Sequence, residues 1–352
     1  MKLVVMLVGI LGGLVLMSFP GGIDRAKPSW WKLLTVLSMA LTCIVGLFPP
    51  LAGSITDVVI QHRADSLKVV PALVRIVPNT AGTAPGIVTL TDARDQRVVV
   101  DGRPSPDVSA ELAGLPQGAD LVLGLKRMDR DNIFEISSVV AVKPLITMPY
   151  IVGLEERARI MFFHVPLSWI ATIAYFLTML ASIRHLRTRR LEHDDVAVVT
   201  AALGTLFTVL ATLTGAVWAK FNWGTFWNWD PRQTSIMLLM LIYAAYFLLR
   251  STIEDPDRRA RLGSVYAIIA FPTVPFLIFV LPRLLPGLHP GSADDSNLGP
   301  LLSPRSDAIN PIKTAVFGLA LFSFTLVFAW LVNIRLRLAR MERRRAFRSE
   351  AA

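Results

Sequence analysis

A polytopic α-helical membrane protein, with about seven transmembrane helices and one small inserted β-barrel domain, is the fold class that this sequence predicts. Three observations carry it. Apolar residues make up 53% of the 352 residues, charged residues only 18%, and mean hydropathy is +0.53, whereas a soluble globular chain is about a quarter charged. Seven apolar stretches approach or exceed the length that crosses a bilayer as a helix. Between Gly53 and Thr147 this character gives way to short runs of alternating apolar and polar residues.

The apolar stretches are Met1–Phe19, Leu33–Ala52, Ile160–Ile183, Val196–Ala219, Ser235–Leu249, Leu262–Leu281 and Ile312–Val332. Only closed backbone hydrogen bonding survives in lipid, so each is expected to be a helix. Basic residues orient them. Arg25, Lys27 and Lys32 precede the second stretch, Arg184, Arg187, Arg189 and Arg190 follow the third, and Arg250, Arg258, Arg259 and Arg261 follow the fifth. Seven arginines from Arg335 to Arg348 follow the last. These segments hold 18 of the 36 basic residues and share one side of alternating spans, which the positive-inside rule makes cytoplasmic. The net charge of +10 therefore reads as membrane topology, since Gly53–Arg159 carries 12 basic against 13 acidic residues. Seven spans put Met1 outside. Lys2 before an apolar run also suits a signal sequence, but no small-x-small site closes that run, so a retained span is favoured. The single cysteine, Cys43, excludes a disulfide framework, a CxxC redox site, a Cys-rich zinc site and covalent haem attachment within the chain.

The expected organisation is two N-terminal spans in 1–52, an inserted β domain in 53–147, a five-span core in 148–334 and a basic cytoplasmic tail in 335–352. Within the insertion, Leu67–Val77, Gly86–Thr91, Arg97–Val100, Leu121–Leu125 and Phe134–Val142 read as strands separated by Gly, Pro, Asp and Asn. Five short strands suggest a small antiparallel barrel, OB-like, on the extracytoplasmic side. Phe134 is its only aromatic residue, so it lacks the stacking platform of a single-strand nucleic-acid binder.

Chemistry concentrates in the loop 220–232. Four of the eight tryptophans, Trp218, Trp223, Trp227 and Trp229, fall within twelve positions. An interfacial aromatic belt is one reading, although belts are spread over many helix ends. Asp230 at N-cap, Pro231 at N1 and Gln233 at N3 form a helix start signal. Flat indoles beside Lys220 and Arg232 also suit a planar anionic ligand, with cations for its carboxylates.

The run Trp223-Gly224-Thr225-Phe226-Trp227-Asn228-Trp229-Asp230 resembles the tryptophan-rich "WWD" signature of the haem-handling membrane proteins of cytochrome c biogenesis, a superfamily that includes CcmC, CcmF and CcsA. The CcmC branch combines a His-Val-Pro at the start of one span, the WWD loop, and a histidine in the next extracytoplasmic loop. His164-Val165-Pro166 and His289 match those positions. No histidine lies deep inside a predicted span, where the CcmF and CcsA relatives carry theirs. Either histidine alone could be an ordinary interfacial one. Together they bracket the tryptophan loop, and two imidazoles would give six-coordinate haem iron. His185 and His193 are expected in a cytoplasmic loop, solvated or lipid-facing, and His62 in a linker.

By resemblance, the chain would bind haem b non-covalently at the extracytoplasmic surface of a bacterial cytoplasmic membrane and deliver it to the periplasmic chaperone CcmE. His164 and His289 would be axial ligands, Trp223, Trp227 and Trp229 would flank the macrocycle, and Arg159 and Arg232 would meet propionates. Asp230 is expected to fix the loop as a helix cap, with the axial ligands independent of it. The implied partners are CcmE, the ABC transporter subunits CcmA and CcmB, and the small subunit CcmD. A CcsA-like synthetase component and a secondary transporter remain alternatives. The insertion and the first span depart from the family's compact pattern.

Overall fold

The computed structural model describes residues 2–78, 86–116, 118–128, 133–293 and 311–350. In chain order these form α1 (Lys2–Ser18), α2 (Ser29–Leu47), β1 (Leu51–Ala52), α3 (Ile55–Ala64), β2 (Val70–Val77), β3 (Val88–Asp92), β4 (Val99–Pro104) and α4 (Pro106–Ala113). Then follow β5 (Asp120–Arg127), β6 (Ile133–Val142), β7 (Met148–Pro149), a 3-10 segment Glu155–Phe162, α5 (His164–Thr188), α6 (Leu191–Trp223), α7 (Pro231–Ser251) and α8 (Pro256–Ala270). Past α8 the chain continues through α9 (Thr273–Pro275), a π turn Phe276–Val280 and α10 (Leu281–Leu284), and α11 (Pro311–Glu350) closes it. Two compact units emerge, Met1–Cys43 with Ile160–Ala352, and Ile44–Arg159.

In the helical unit, six helical stretches are long and apolar enough to cross a bilayer: Ser29–Leu47, Glu155–Thr188, Leu191–Trp223, Pro231–Ser251, Pro256–Leu284 and Pro311–Arg343. At 17 residues, α1 is shorter than these. It lies against α11 at backbone distance, because a Cβ on Gly9 would come within 2.6 Å of the Gly318 carbonyl and one on Gly13 within 2.6 Å of Thr325. Small residues at such crossings maximise packing where no hydrophobic force separates protein from lipid. The Lys27 ammonium donates to the Met17 carbonyl at 2.7 Å and Trp31 Nε1 to Leu16 at 2.9 Å, satisfying the last turn of α1.

Aromatic residues fill the core, where Tyr175 and Tyr243 stack at 3.6 Å and Phe207 meets Phe328 at 6.0 Å, with Trp31 in the same cluster. Gly204 gives Tyr175 its place, since a Cβ there would stand 2.9 Å from the ring. Hydroxyls within the helices bond back to their own chain, as Thr178 does to Ala174 and Thr208 to Gly204. At the opposite end of this bundle from the tryptophan loop, Arg250 grips Asp194 through two 2.8 Å bonds. His185 is not in a solvated loop. It occupies the last turn of α5 at 2% exposure, with Nδ1 3.0 Å from the Arg190 carbonyl, because the tight α5–α6 connection folds over it. His193 is half-buried in the first turn of α6. The predicted tail is largely helix, a continuation of α11 in which Arg340 pairs with Asp24 and Arg343 with Asp195. Residues 351–352 and the side chains of Arg344, Arg345 and Arg348 lie outside the described residues.

The second unit is built on a closed five-stranded barrel in the order β2-β3-β4-β6-β5. Its pairs are antiparallel except β4 with β6, which run parallel and close it. Alternation makes the interior: along β2, Val70, Ala72, Val74 and Ile76 turn inward, against Leu90, Leu123, Phe134 and Ile136. Gly102 is needed because a Cβ would strike Ile136 and Leu90 at 2.8 and 2.9 Å. Two helices depart from the strand-only expectation. In α3, which includes His62, Ser54 and Asp57 form a capping box, and α4 starts with Pro106 at its first turn.

Candidate functional site

His164 opens α5, where Pro166 is tolerated because the first turn has no amide to lose. Its Nδ1 stands 2.9 Å from the Ala211 carbonyl and 3.1 Å from the Thr214 hydroxyl. A carbonyl only accepts, so Nδ1 carries the proton and Nε2 keeps its lone pair. The ring lies on Gly215, where a Cβ would come within 2.8 Å of it.

His289 reaches the site from the segment after α10. Its Nδ1 is 2.7 Å from Asp230 Oδ1, and the ionised carboxylate again makes Nδ1 the donor. Among the described residues neither Nε2 makes a hydrogen bond. The His289 ring meets Trp223 edge-on at 4.7 Å and Trp218 at 6.3 Å. Ala211, Thr214, Gly215 and Trp218 share one face of α6, so both imidazoles adjoin the half of that helix that ends in Trp223. Both rings are half-buried.

Asp230 organises this end of the bundle. It is 4% exposed, caps α7 by accepting from the Arg232 amide at 2.9 Å, and accepts from the Leu288 amide at 2.7 Å. With His289 it thus has three donors: beyond capping α7, it holds the histidine directly. Burial pushes its carboxyl up, but the bond and charge of His289 and the two amides outweigh that and hold it at about 2. Gly287 makes the approach possible, since a Cβ there would stand 2.8 Å from Oδ2. Gln233 does not complete a capping box. Its Oε1 accepts from the Asn228 amide at 2.8 Å and pins the loop instead.

The tryptophans form two pairs. Trp218 and Trp223 meet at 5.2 Å beside His289, while Trp227 and Trp229 meet edge-to-face at 5.8 Å. Gly224 ends α6 with φ +84°, and Trp229 holds φ +54°, a left-handed conformation unusual for a non-glycine residue. That turn leaves its indole 69% exposed. Lys220 donates to the Gly224 carbonyl at 2.7 Å and lies over Phe226. Arg232 is 3.5 Å from the Pro290 carbonyl. Packed on α7, α10 adds Arg283 to the cations Lys220 and Arg232 at this end.

Arg159 is placed in the second unit. Its guanidinium donates to the carbonyls of Gly46 and Pro49 at 3.2 and 2.8 Å and pairs with Glu156, which satisfies the end of α2. Sequence reasoning missed Gly215, Gly287 and Arg283 as parts of the site. A glycine in the interior of an apolar helix was the one available signal, at Gly215. No cluster of three or more His, Cys, Asp or Glu able to hold a metal ion occurs among the described residues. The donor set is two imidazoles, each with Nδ1 engaged, beside indoles and cations, which fits a planar anionic metal complex that brings its own equatorial ligands.

The family model described as "Heme exporter protein C" matches residues 134–350, starting inside β6 and leaving most of the barrel outside. The chain is similar to Heme exporter protein C of Bradyrhizobium diazoefficiens, 34% identical over 152 residues, 41% of this chain and 58% of that protein. It is also similar to the Paracoccus denitrificans protein of that name, 31% identical over 195 residues, 53% of this chain and 75% of the relative. The Escherichia coli K12 protein is 29% identical over 194 residues, with 54% and 75% covered. The matched segment is less than two thirds of the Bradyrhizobium protein.

Proposed function

Since the chain belongs to the heme exporter protein C family, we propose that this multi-pass membrane protein handles haem for cytochrome c maturation by holding it, non-covalently and as haem b, between His164 and His289. The carrying observation is the matched tautomers: Ala211 and Asp230 each fix an Nδ1 proton, leaving both Nε2 lone pairs for iron. The haem is cargo, supplying an iron with two open axial positions and two propionates. Trp223 and Trp218 wall the His289 side, Trp227 and Trp229 offer an exposed indole edge, and Arg232 is the propionate candidate. Arg159 is read as the clamp on α2. No bond chemistry is assigned to the protein.

In this reading the membrane is the bacterial cytoplasmic one, α1 completes seven spans alongside α11, and the barrel is OB-like. The tryptophan loop and barrel face the periplasm and the C-terminus the cytoplasm. Loaded haem passes to CcmE, and CcmA, CcmB and CcmD complete the assembly. Purified protein should show the optical spectrum of low-spin bis-histidine haem. The same spectrum from the double variant His164→Ala/His289→Ala would overturn the ligand assignment. Cysteine labelling should reach position 187 from the cytoplasm and 228 from the periplasm, and labelling of 228 from the cytoplasm would overturn the orientation.

A further inference from the structure

Among the described residues, the second unit exposes a run of apolar side chains. Val140 and Val142 point outward at the end of β6, and Leu145 and Ile146 follow them, with Leu145 97% exposed. Scattered exposed apolar residues are ordinary, but a contiguous strip marks a contact surface. Just beyond it the chain turns inward, since Met148, Pro149 and Tyr150 are all buried.

Backbone pairing locates the strip. β1 and β7 run parallel, with Leu51 opposite Met148 and Ala52 opposite Pro149, and the Met148 amide donates to the Pro50 carbonyl at 2.9 Å. Phe48 and Leu145 each lie three residues before that Leu51–Met148 rung, outside the strands themselves. Phe48 is the residue after α2, continues its last turn through a 3.0 Å bond to the Ile44 carbonyl, and is 76% exposed. α2 is long and apolar enough to cross the bilayer. Its end, clamped by Arg159, and Leu145 both precede the same end of the parallel pair. Lys143, exposed and at φ +46°, turns the chain between Val142 and Pro144. An apolar pair behind a lysine has the composition of an interfacial anchor, with side chains among acyl chains and an ammonium at the phosphates.

We propose that Leu145 and Ile146, continuous with Phe48, insert into the bilayer leaflet in which α2 ends, and that this contact holds the barrel domain against the membrane surface. The occupant is lipid, by continuity with the lipid-facing end of α2. The proposal does not depend on the haem reading.

The test uses the full chain in lipid nanodiscs, with Cys43→Ala and a nitroxide on a single cysteine at 145, 146 or 111, the last exposed on α4. Labels at 145 and 146 should collide more with oxygen than with an aqueous nickel chelate, and the label at 111 the reverse. Chelate access at 145 equal to that at 111 would overturn the proposal. Shielding at 145 in native membranes but not in nanodiscs would also overturn it, pointing to a protein partner. Leu145→Asp with Ile146→Asp removes no buried side chain, so the barrel stays folded. It should increase the mobility of the label at 111 several-fold, and unchanged mobility would sink the anchoring role.

Discussion

Asp230 and His289, 59 residues apart in sequence, are joined by a 2.7 Å hydrogen bond between carboxylate and imidazole. The same carboxylate caps α7 and holds the Leu288 amide, so one buried side chain ties the tryptophan loop to the histidine segment.

Asp230→Ala should therefore do more than fray a helix. Loss of the cap costs about 1 kcal/mol, and the abandoned buried partners about 1–3 kcal/mol more. His289 loses its tautomer lock at the same time. Thermal melts in detergent should fall, and the haem-loaded spectrum should lose most of its six-coordinate component. A variant with the wild-type spectrum would show that Asp230 does not position His289.

The acid limit follows from the same carboxyl. Its folded value of about 2 lies below the ordinary 3.8, so its stabilisation is fully present above about pH 4 and is lost as pH falls toward 2. Melting temperatures of the wild type and Asp230→Asn should converge over that window. A constant gap down to pH 2 would contradict the shift.

His164→Ala and His289→Ala should each lose the low-spin spectrum and recover part of it with added imidazole. His193→Ala remains the silent control. His185→Ala does not, because that ring is buried and bonded. It should cost about 2 kcal/mol while leaving the spectrum of the surviving protein unchanged.

Gly215→Ala tests the floor beneath His164. The added methyl has 2.8 Å where it needs more than 3.4 Å, and the imidazole must move off its Ala211 acceptor. The variant should insert normally yet mimic His164→Ala, with imidazole rescue. Unaltered haem binding would show that the ring can shift without losing its ligand role.

Asp194 and Arg250, each 11% exposed, form a buried bidentate pair. Removing one partner strands the other charge and costs about 3–5 kcal/mol. Asp194→Leu should destabilise strongly, and Asp194→Leu/Arg250→Met should recover most of the loss. Equal losses in the single and double variants would show that packing, not charge, is what matters.

The long helices were legible because apolar runs of this length admit no other structure in lipid, and the five strands because alternation survives in short segments. α3 and α4 escaped notice, being too short to establish a helical period among strands. Around the candidate site, His164, His289 and the tryptophan loop stood out by residue type. The Asp230–His289 bond did not, because nothing local records a partner 59 positions away. Gly287 was invisible for a related reason: outside a helix interior, a glycine chosen for an approaching neighbour looks like any other. The carbonyl partners of Arg159 were not legible either, because charge and proximity in sequence say nothing about which carbonyls a guanidinium will find.

Forty residues of continuous helix make α11 about 60 Å long, roughly twice the hydrocarbon thickness. Half of it must therefore stand clear of the hydrocarbon as a stiff lever. Its root is fixed by the glycine contact with α1 and its shaft by the Arg340–Asp24 and Arg343–Asp195 pairs. The two pairs tie it to the α1–α2 connection and to the start of α6, leaving about 10 Å of rod beyond Arg343. Movements of those two segments are thus passed on to the tip of the rod.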